Sequence, residues 1–333
     1  MIRSSRVPWA APVLLLLFAC SGSPTFLSTF GYRADREARL GWVLLIIASA
    51  VVLITAGLLV AGLARRRREG GELMRTGGGL SWIMVGGIAL PALILLGVLF
   101  FAMSTLAADT APASKPGVTV QVIGHRWWWE VRYPGTAPSD LFVTANEIHI
   151  PTGQPVRLEL TTADVIHSFW IPQLAGKMDL IPGQRNATWI EADSAGTYWG
   201  HCGEYCGLQH ANMMMSVTAE PPDQFTRWLT TQRAPAAQPG DQASMAGLQV
   251  FERSACALCH TIRGTGAGGA IGPDLTHVGS RQMIAAGTIP NRRGYLAGWI
   301  ANPQGIKPGV AMPAVPLSPR ELDAIVTYLQ SLK

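Results

Sequence analysis

Hydrophobic positions fall into three regimes along the chain. Residues 41–64, "GWVLLIIASAVVLITAGLLVAGLA", carry no charge and reach the roughly 20 apolar residues that a helix needs to cross a bilayer core. Residues 80–108 repeat the pattern, with Pro91 as a predicted kink. Beyond residue 108 the runs shorten and alternate. Val118, Val120 and Val122, and then residues 157–160, read as half-buried strands. Gly and Pro turns recur roughly every 8 to 12 residues, which predicts an antiparallel β-sandwich. Residues 231–244, "TQRAPAAQPGDQAS", read as a flexible linker. From Met245 the helical period returns. "SPRELDAIVTYLQSLK" opens with Ser318, Pro319 and Glu321, a helix-start signal, and puts Leu322, Ile325, Val326 and Leu329 on one face. No internal repeat is found. The predicted order is an N-terminal signal (1–20), a two-helix membrane hairpin (21–108, helices about 41–64 and 80–108), a β-sandwich (109–230), the linker (231–244) and an all-α domain (245–333).

Composition agrees with membrane insertion. Charged residues make up only 14% of the 333-residue chain and hydrophobic residues 48%, and the mean hydropathy is +0.23, which suits membrane spans better than a soluble domain. The net charge of +5 is mild, and many of its cations sit at residues 65–68 and in the N-terminal tail, so no nucleic-acid footprint is read. Arg65 to Arg68 lie between the two apolar runs. The positive-inside rule therefore places that loop in the cytoplasm and the chain from Asp109 onward outside. The start, "MIRSSRVPWAAPVLLLLFAC", has the basic tail and apolar stretch of a secretory signal. Leu17 to Cys20 resemble a lipobox, although Phe18 is bulky for its position. Two readings of Cys20 stay open: a lipidated N-terminus, or an ordinary residue in an uncleaved segment.

The five cysteines sharpen the picture. An exported chain could pair four of them as disulfides, yet both pairs are flanked by histidines and methionines that disulfides do not need. "CALCH", residues 256–260, has the spacing of c-type haem attachment: Cys256 and Cys259 bond the two vinyl groups and His260 reaches the iron. A soft sixth ligand favours methionine. Met312 in "KPGVAMPA" is the predicted residue, with Met283 and His277 as rivals; zinc binding or thiol redox chemistry is the other reading of this motif. "HCGEYCGLQHANM", residues 201–213, offers Cys202, Cys206, His210 and Met213. With His167 of "DVIHSFW" the set suits copper better than a hard cation. A structural zinc site on Cys202, Cys206, His210 and His167 would leave Met213 without a role. Two bridging thiolates accommodate two copper ions, each with both sulfurs and one histidine, and weak axial ligands come from Met213 and a backbone carbonyl.

"DVIHSFWIPQLAGKMDLIPG", "GTYWGHCGEYCGLQHANM" and the aromatic run "GHRWWWE", after a two-helix hairpin, resemble cytochrome c oxidase subunit II over nearly the whole chain. The appended haem motif, with "GPDLTHVG" after it, resembles the cytochrome c of the caa-type version. The resemblance implies a multidomain membrane protein: transmembrane hairpin, cupredoxin-like antiparallel β-sandwich with a binuclear CuA centre, then a class I cytochrome c domain. His167, Cys202, Cys206, His210 and Met213 match the family's side-chain ligands. Glu204 matches the residue that gives its backbone carbonyl and whose side chain faces a magnesium ion at the border with subunit I. Trp127 matches the tryptophan through which electrons reach the copper. Trp128 and Trp129 read as packing, and His125, His149 and His201 are assigned no chemistry. Lys177 and Asp179 match positions near subunit I. Arg126 stands where many members have glutamine, and the glutamate that many members carry before the second helix has no counterpart.

The implied function is electron transfer in a haem-copper terminal oxidase of the bacterial inner membrane. Electrons pass from cytochrome c or a quinol–cytochrome c reductase through haem c to CuA and on to subunit I, which reduces oxygen to water and pumps protons. Both metal domains face the outer side, and subunit I, other oxidase subunits and the membrane are the partners. Three alternatives stand beside this: a nitric oxide reductase with a CuA subunit, a nitrous oxide reductase, whose copper domain normally lacks the hairpin, and a tethered copper-binding or sensing protein, for which a haem has no use.

Overall fold

The computed structural model describes residues 25–68, 79–112 and 114–333; Cys20 and the signal lie outside the described residues. Helix α1 (Tyr32–Arg68) begins well before the apolar run and ends at the arginines. At 1.5 Å per residue its 37 residues extend about 55 Å, far more than a bilayer core, so its first turns stand clear of the apolar stretch. Those turns dock on the β-domain: Arg33 donates to the Trp189 carbonyl at 2.9 Å and to Thr188 at 2.6 Å. Phe30 N–H also bonds to the Gln173 carbonyl. Helix α2 (Gly79–Asp109) has π-helical turns over Ile83–Ala89 directly before Pro91. The widened turns lie directly upstream of the proline, where such an irregularity is expected. Both helices are long and apolar enough to cross a membrane, and their apolar windows are unburied.

Ten strands follow: β1 (Val118–His125), β2 (Trp128–Tyr133), β3 (Phe142–Ala145), β4 (Glu147–Pro151), β5 (Val156–Thr162), β6 (His167–Trp170), β7 (Met178–Leu180), β8 (Asn186–Ile190), β9 (Gly196–Cys202) and β10 (Met214–Glu220). They form two five-stranded sheets, ordered β3-β2-β1-β5-β8 and β4-β10-β9-β6-β7. The expected sandwich is present, but the sheets are mixed: β1 runs parallel to β5 and β4 parallel to β10. Period-two alternation reports which side chains point inward and is blind to strand direction. Val120, Val122, Leu158 and Leu160 are buried in one core with Ile148, Ile150, Phe169 and Val217, each burial stabilising by about 1.5–3 kcal/mol.

Helix α3 (Pro222–Arg233) continues into the segment read as linker, and α4 (Gln242–Arg253) starts before its end, capped by Asp241. A short α5 (Cys256–Cys259), a hairpin of β11 (Met283–Ile284) and β12 (Ile289–Pro290), then α6 (Arg293–Ala301), α7 (Pro303–Ile306) and α8 (Pro319–Ser331) complete a second core. Helix α8 carries a capping box between Ser318 and Glu321 and buries Ile325, Val326 and Leu329. It crosses α4 at Gly247, where a Cβ would lie 2.1 Å from the Ala324 carbonyl and 2.6 Å from Tyr328 Cβ. Gly247→Val should therefore destabilise this domain by about 2 kcal/mol through overpacking and lower its melting temperature by about 10 °C, read by thermal unfolding. The tip of the β11–β12 hairpin holds Ala285 and Ala286 at φ 53° and 56°, followed by Gly287 at 76°. Left-handed alanine costs on the order of 1–3 kcal/mol and persists only where its surroundings enforce it.

Candidate metal centre and haem pocket

One end of the sandwich gathers the soft ligands. His167 opens β6, Cys202 closes β9, and the pairing of those strands sets Phe169 opposite Cys202. The loop from β9 to β10 then folds back over them. Among the described residues, the ligand atoms of His167, Cys202 and Cys206 lie within 4.8 Å of one another, all three residues buried. His167 Nδ1 is 3.8 Å from Cys202 Sγ, His210 Nδ1 is 3.6 Å from Cys206 Sγ, and Met213 Sδ is 3.8 Å from the same sulfur. The Glu204 carbonyl oxygen is 3.1 Å from Cys202 Sγ. All six residues singled out for copper converge, and two thiols, two imidazoles, a thioether and one carbonyl are a donor set for a soft metal rather than a hard one. The two sulfurs perturb each other. The hydrogen bond from Cys206, helped by His167, holds Cys202 far below the usual thiol range, at about 3, and the same contact pushes Cys206 up.

Asp164 is a residue that the sequence reading passed over. Its Oδ1 is 2.8 Å from His167 Nε2, which fixes the ring N–H on the carboxylate and leaves Nδ1 as the lone-pair nitrogen facing the sulfur. Burial raises the Asp164 carboxyl, but bonds from His167 and from the Val165 and Arg126 amides outweigh it and hold it below the usual range. The Arg126 guanidinium also lies 3.7 Å from Asp164, so its charge is partly spent there. The "DVIH" spacing was the available signal, a carboxylate three residues before a ligating imidazole. Asp164→Asn is expected to weaken copper binding about 10- to 100-fold while the haem spectrum stays unchanged, measured by copper competition with a chelator.

Trp127 donates its indole N–H to the Cys206 carbonyl at 3.0 Å and is 8% exposed. Trp129 is fully buried against Phe169 and His167, as packing requires, whereas Trp128 stacks on His125 at 4.4 Å and faces a cavity. Glu204 points away from the sulfurs to Lys177 at 3.5 Å, and Lys177 also meets Asp179 at 3.4 Å.

That cavity, of about 200 Å³, lies in the second domain and is lined by Cys256, Cys259, His260 and Met312 among apolar side chains such as Phe251, Trp299 and Leu329, with Trp127 and Trp128 closing one side. His260 Nδ1 lies 2.7 Å from the Pro273 carbonyl, which assigns its proton to Nδ1 and leaves Nε2 free to ligate. Burial pushes this imidazole below its usual value, favouring the neutral ring. Gly272 passes so close that a Cβ there would sit 2.6 Å from His260 Cε1. An apolar slot with two thiols and an oriented imidazole at its rim fits a covalently attached haem. Met283 also lines the cavity; His277 does not, its ring nitrogens lying 3.1 Å from the Lys333 and Ala234 carbonyls.

Residues 118–220 match the family described as cytochrome C oxidase subunit II, periplasmic domain, and residues 244–333 match cytochrome c. Cytochrome c oxidase subunit 2 of Alkalihalophilus pseudofirmus is 34% identical over 297 residues, covering 87% of this chain and 85% of that protein. The chain belongs to the cytochrome c oxidase subunit II family. Cytochrome c oxidase subunit 2 of Bacillus subtilis is similar over the whole of this subunit II, 29% identical across 358 aligned residues and covering 99% of that protein. The periplasmic domain of cytochrome oxidase subunit II from Bradyrhizobium japonicum, a solved structure, is 30% identical with a TM-score of 0.34, covering 37% of this chain and 97% of that one. A subunit II periplasmic domain implies a copper centre and a cytochrome c domain implies haem c. Two apolar helices with the β-domain beyond them fit a membrane subunit whose folded domains lie outside, and a subunit II normally partners subunit I of a haem-copper oxidase.

Proposed function

We propose that this subunit II collects electrons from cytochrome c or a quinol–cytochrome c reductase and delivers them to subunit I, which reduces oxygen to water and pumps protons. The observation that carries the proposal is the convergence of His167, Cys202, Glu204, Cys206, His210 and Met213 in one cluster, with both sulfurs and His167 buried, beside a haem-type slot on the same chain. When bound, a copper pair and a haem supply one-electron carriers. Cys202, Cys206, His167, His210, Met213 and the Glu204 carbonyl are the groups that would hold the copper. Because these donors sit on packed strands and one hydrogen-bonded loop, they are preorganised, so little rearrangement accompanies a change of charge. Cys256 and Cys259 would anchor the haem, and His260 and Met312, which line the same cavity, would serve as its ligands.

Trp127 links the two sites through its bond to the Cys206 carbonyl. With that indole buried beneath the haem domain, external donors reach the haem domain first. The hairpin is assigned as a multi-pass anchor in the bacterial inner membrane, with the arginine end of α1 in the cytoplasm. A magnesium ion at the border with subunit I would take Glu204 after Lys177 swings away, which breaks an exposed pair worth at most about 1 kcal/mol. The test is metal and haem content of the complex purified from native membranes. Copper bound as a pair together with covalent haem in a pyridine haemochrome spectrum is expected; a chain with zinc in place of copper, or without covalent haem, would overturn the assignment.

A further inference from the structure

Between the two sites lies a buried cation that neither cofactor needs. Lys307, in the turn after α7, is 1% exposed, and among the described residues no carboxylate lies within salt-bridge distance of its ammonium. Its Nζ instead donates to three backbone carbonyls: Trp127 at 2.9 Å and Asn212 at 2.6 Å in the copper domain, and Ala285 at 2.9 Å in the haem domain. An ammonium has three N–H bonds and each finds one acceptor, whereas a neutral amine has only two to offer. Burial without a counter-ion pushes the Lys307 amine down to about 7, and its three converging acceptors favour the ammonium; an apolar residue would avoid that cost if the joint needed packing alone.

The three carbonyls are not arbitrary. Trp127 bonds through its side chain to the Cys206 carbonyl, and Asn212 directly precedes Met213. Ala285 begins the left-handed turn whose next carbonyl, Ala286, accepts from Met214 N–H at 3.0 Å. Beside Lys307, the Pro308 carbonyl accepts from Gln209 of the copper loop at 2.8 Å. Gly309 passes close to Trp127, a Cβ there lying 3.5 Å from its ring, and Met312 follows on the same segment.

We propose that Lys307 is a positioning residue for electron delivery: an ammonium clamp that sets the Met312 loop and the hairpin tip against Trp127 and the copper loop. The clamp is read from contacts alone, while its role in delivery rests on the function proposed above. Loss of the charge leaves three facing carbonyls without a donor, so the joint loosens while both ligand sets stay intact.

The experiment compares the complex purified from native membranes with its Lys307→Met variant, which keeps the apolar stem. Hydrogen exchange of residues 208–214 and 283–289 should rise on the order of tenfold in the variant. Electron delivery from the haem domain to the copper site should slow about tenfold or more, with the haem and copper spectra and direct reduction by an artificial donor unchanged. Glu147→Gln, which weakens the contact to the Gln282 amide (2.8 Å) away from Trp127, should leave delivery unchanged. Faster exchange with normal delivery would overturn the positioning role; unchanged exchange would overturn the clamp itself. If Lys307→Met fails to assemble, amine acetylation of the unaltered complex decides: Lys307 should resist labelling under conditions that modify half-exposed Lys177, and equal labelling would contradict the clamp. The exchange and labelling readouts do not depend on turnover, so they separate failure of the clamp from failure of the functional reading.

Discussion

Cys206→Ser is expected to abolish the copper pair and reduce oxygen uptake by the complex by at least about 100-fold, beyond the loss typical of mutations one shell further out. Cys206 Sγ is the sulfur that both His210 Nδ1 and Met213 Sδ approach, and Cys202 Sγ lies in the same ligand cluster. Serine is a harder, weaker donor at this position and disfavours a soft metal. The substitution removes little volume, so the β-sandwich should match the melting temperature of the copper-free wild type, below that of the copper-loaded protein, and the haem domain, with a separate core, should keep its spectrum. Copper analysis, the copper spectrum and thermal unfolding check the prediction together. A variant that keeps the copper pair and turns over normally would remove Cys206 from the site.

His260→Ala is expected to separate the two domains functionally without separating them physically. Cys256 and Cys259 remain to hold the haem, but the imidazole oriented by the Pro273 carbonyl is gone. Turnover with the physiological donor should fall to background. An artificial donor that reduces the copper site directly should still do so, because His167, Cys202, Cys206, His210 and Met213 lie on the other core. Stopped-flow reduction with each donor separates the two routes, and normal turnover from the physiological donor would contradict the order of transfer.

These residues were legible in the sequence for different reasons. Cys202, Cys206, His210 and Met213 lie on one short loop, so spacing alone forces them together, and "CALCH" is likewise local. His167 is remote in sequence and entered the set only as the distant imidazole that a soft-metal site would need; in the structure the β6–β9 pairing brings it to Cys202. Asp164 was missed because it acts through His167 rather than on a metal. Lys307 carried no signal, since its partners are backbone carbonyls at positions that no side-chain pattern marks, 180 and 95 residues away. The alternation in Val118 to Val122 gave strand and face but not direction, which is why the parallel β1–β5 pairing was unread. Residues 231–233 read as linker by composition yet extend α3, where Gln232 is buried and its carbonyl accepts from Arg263 of the haem domain.

The central claim is that this chain feeds an oxygen-reducing partner. Its most direct test is to purify the complex from native membranes through a tag after Lys333 and follow oxygen consumption, and separately nitric oxide consumption, with reduced cytochrome c as donor. Rapid oxygen uptake that is lost in Cys206→Ser is the predicted result. Nitric oxide turnover without oxygen uptake would leave both metal sites standing and contradict the assigned acceptor.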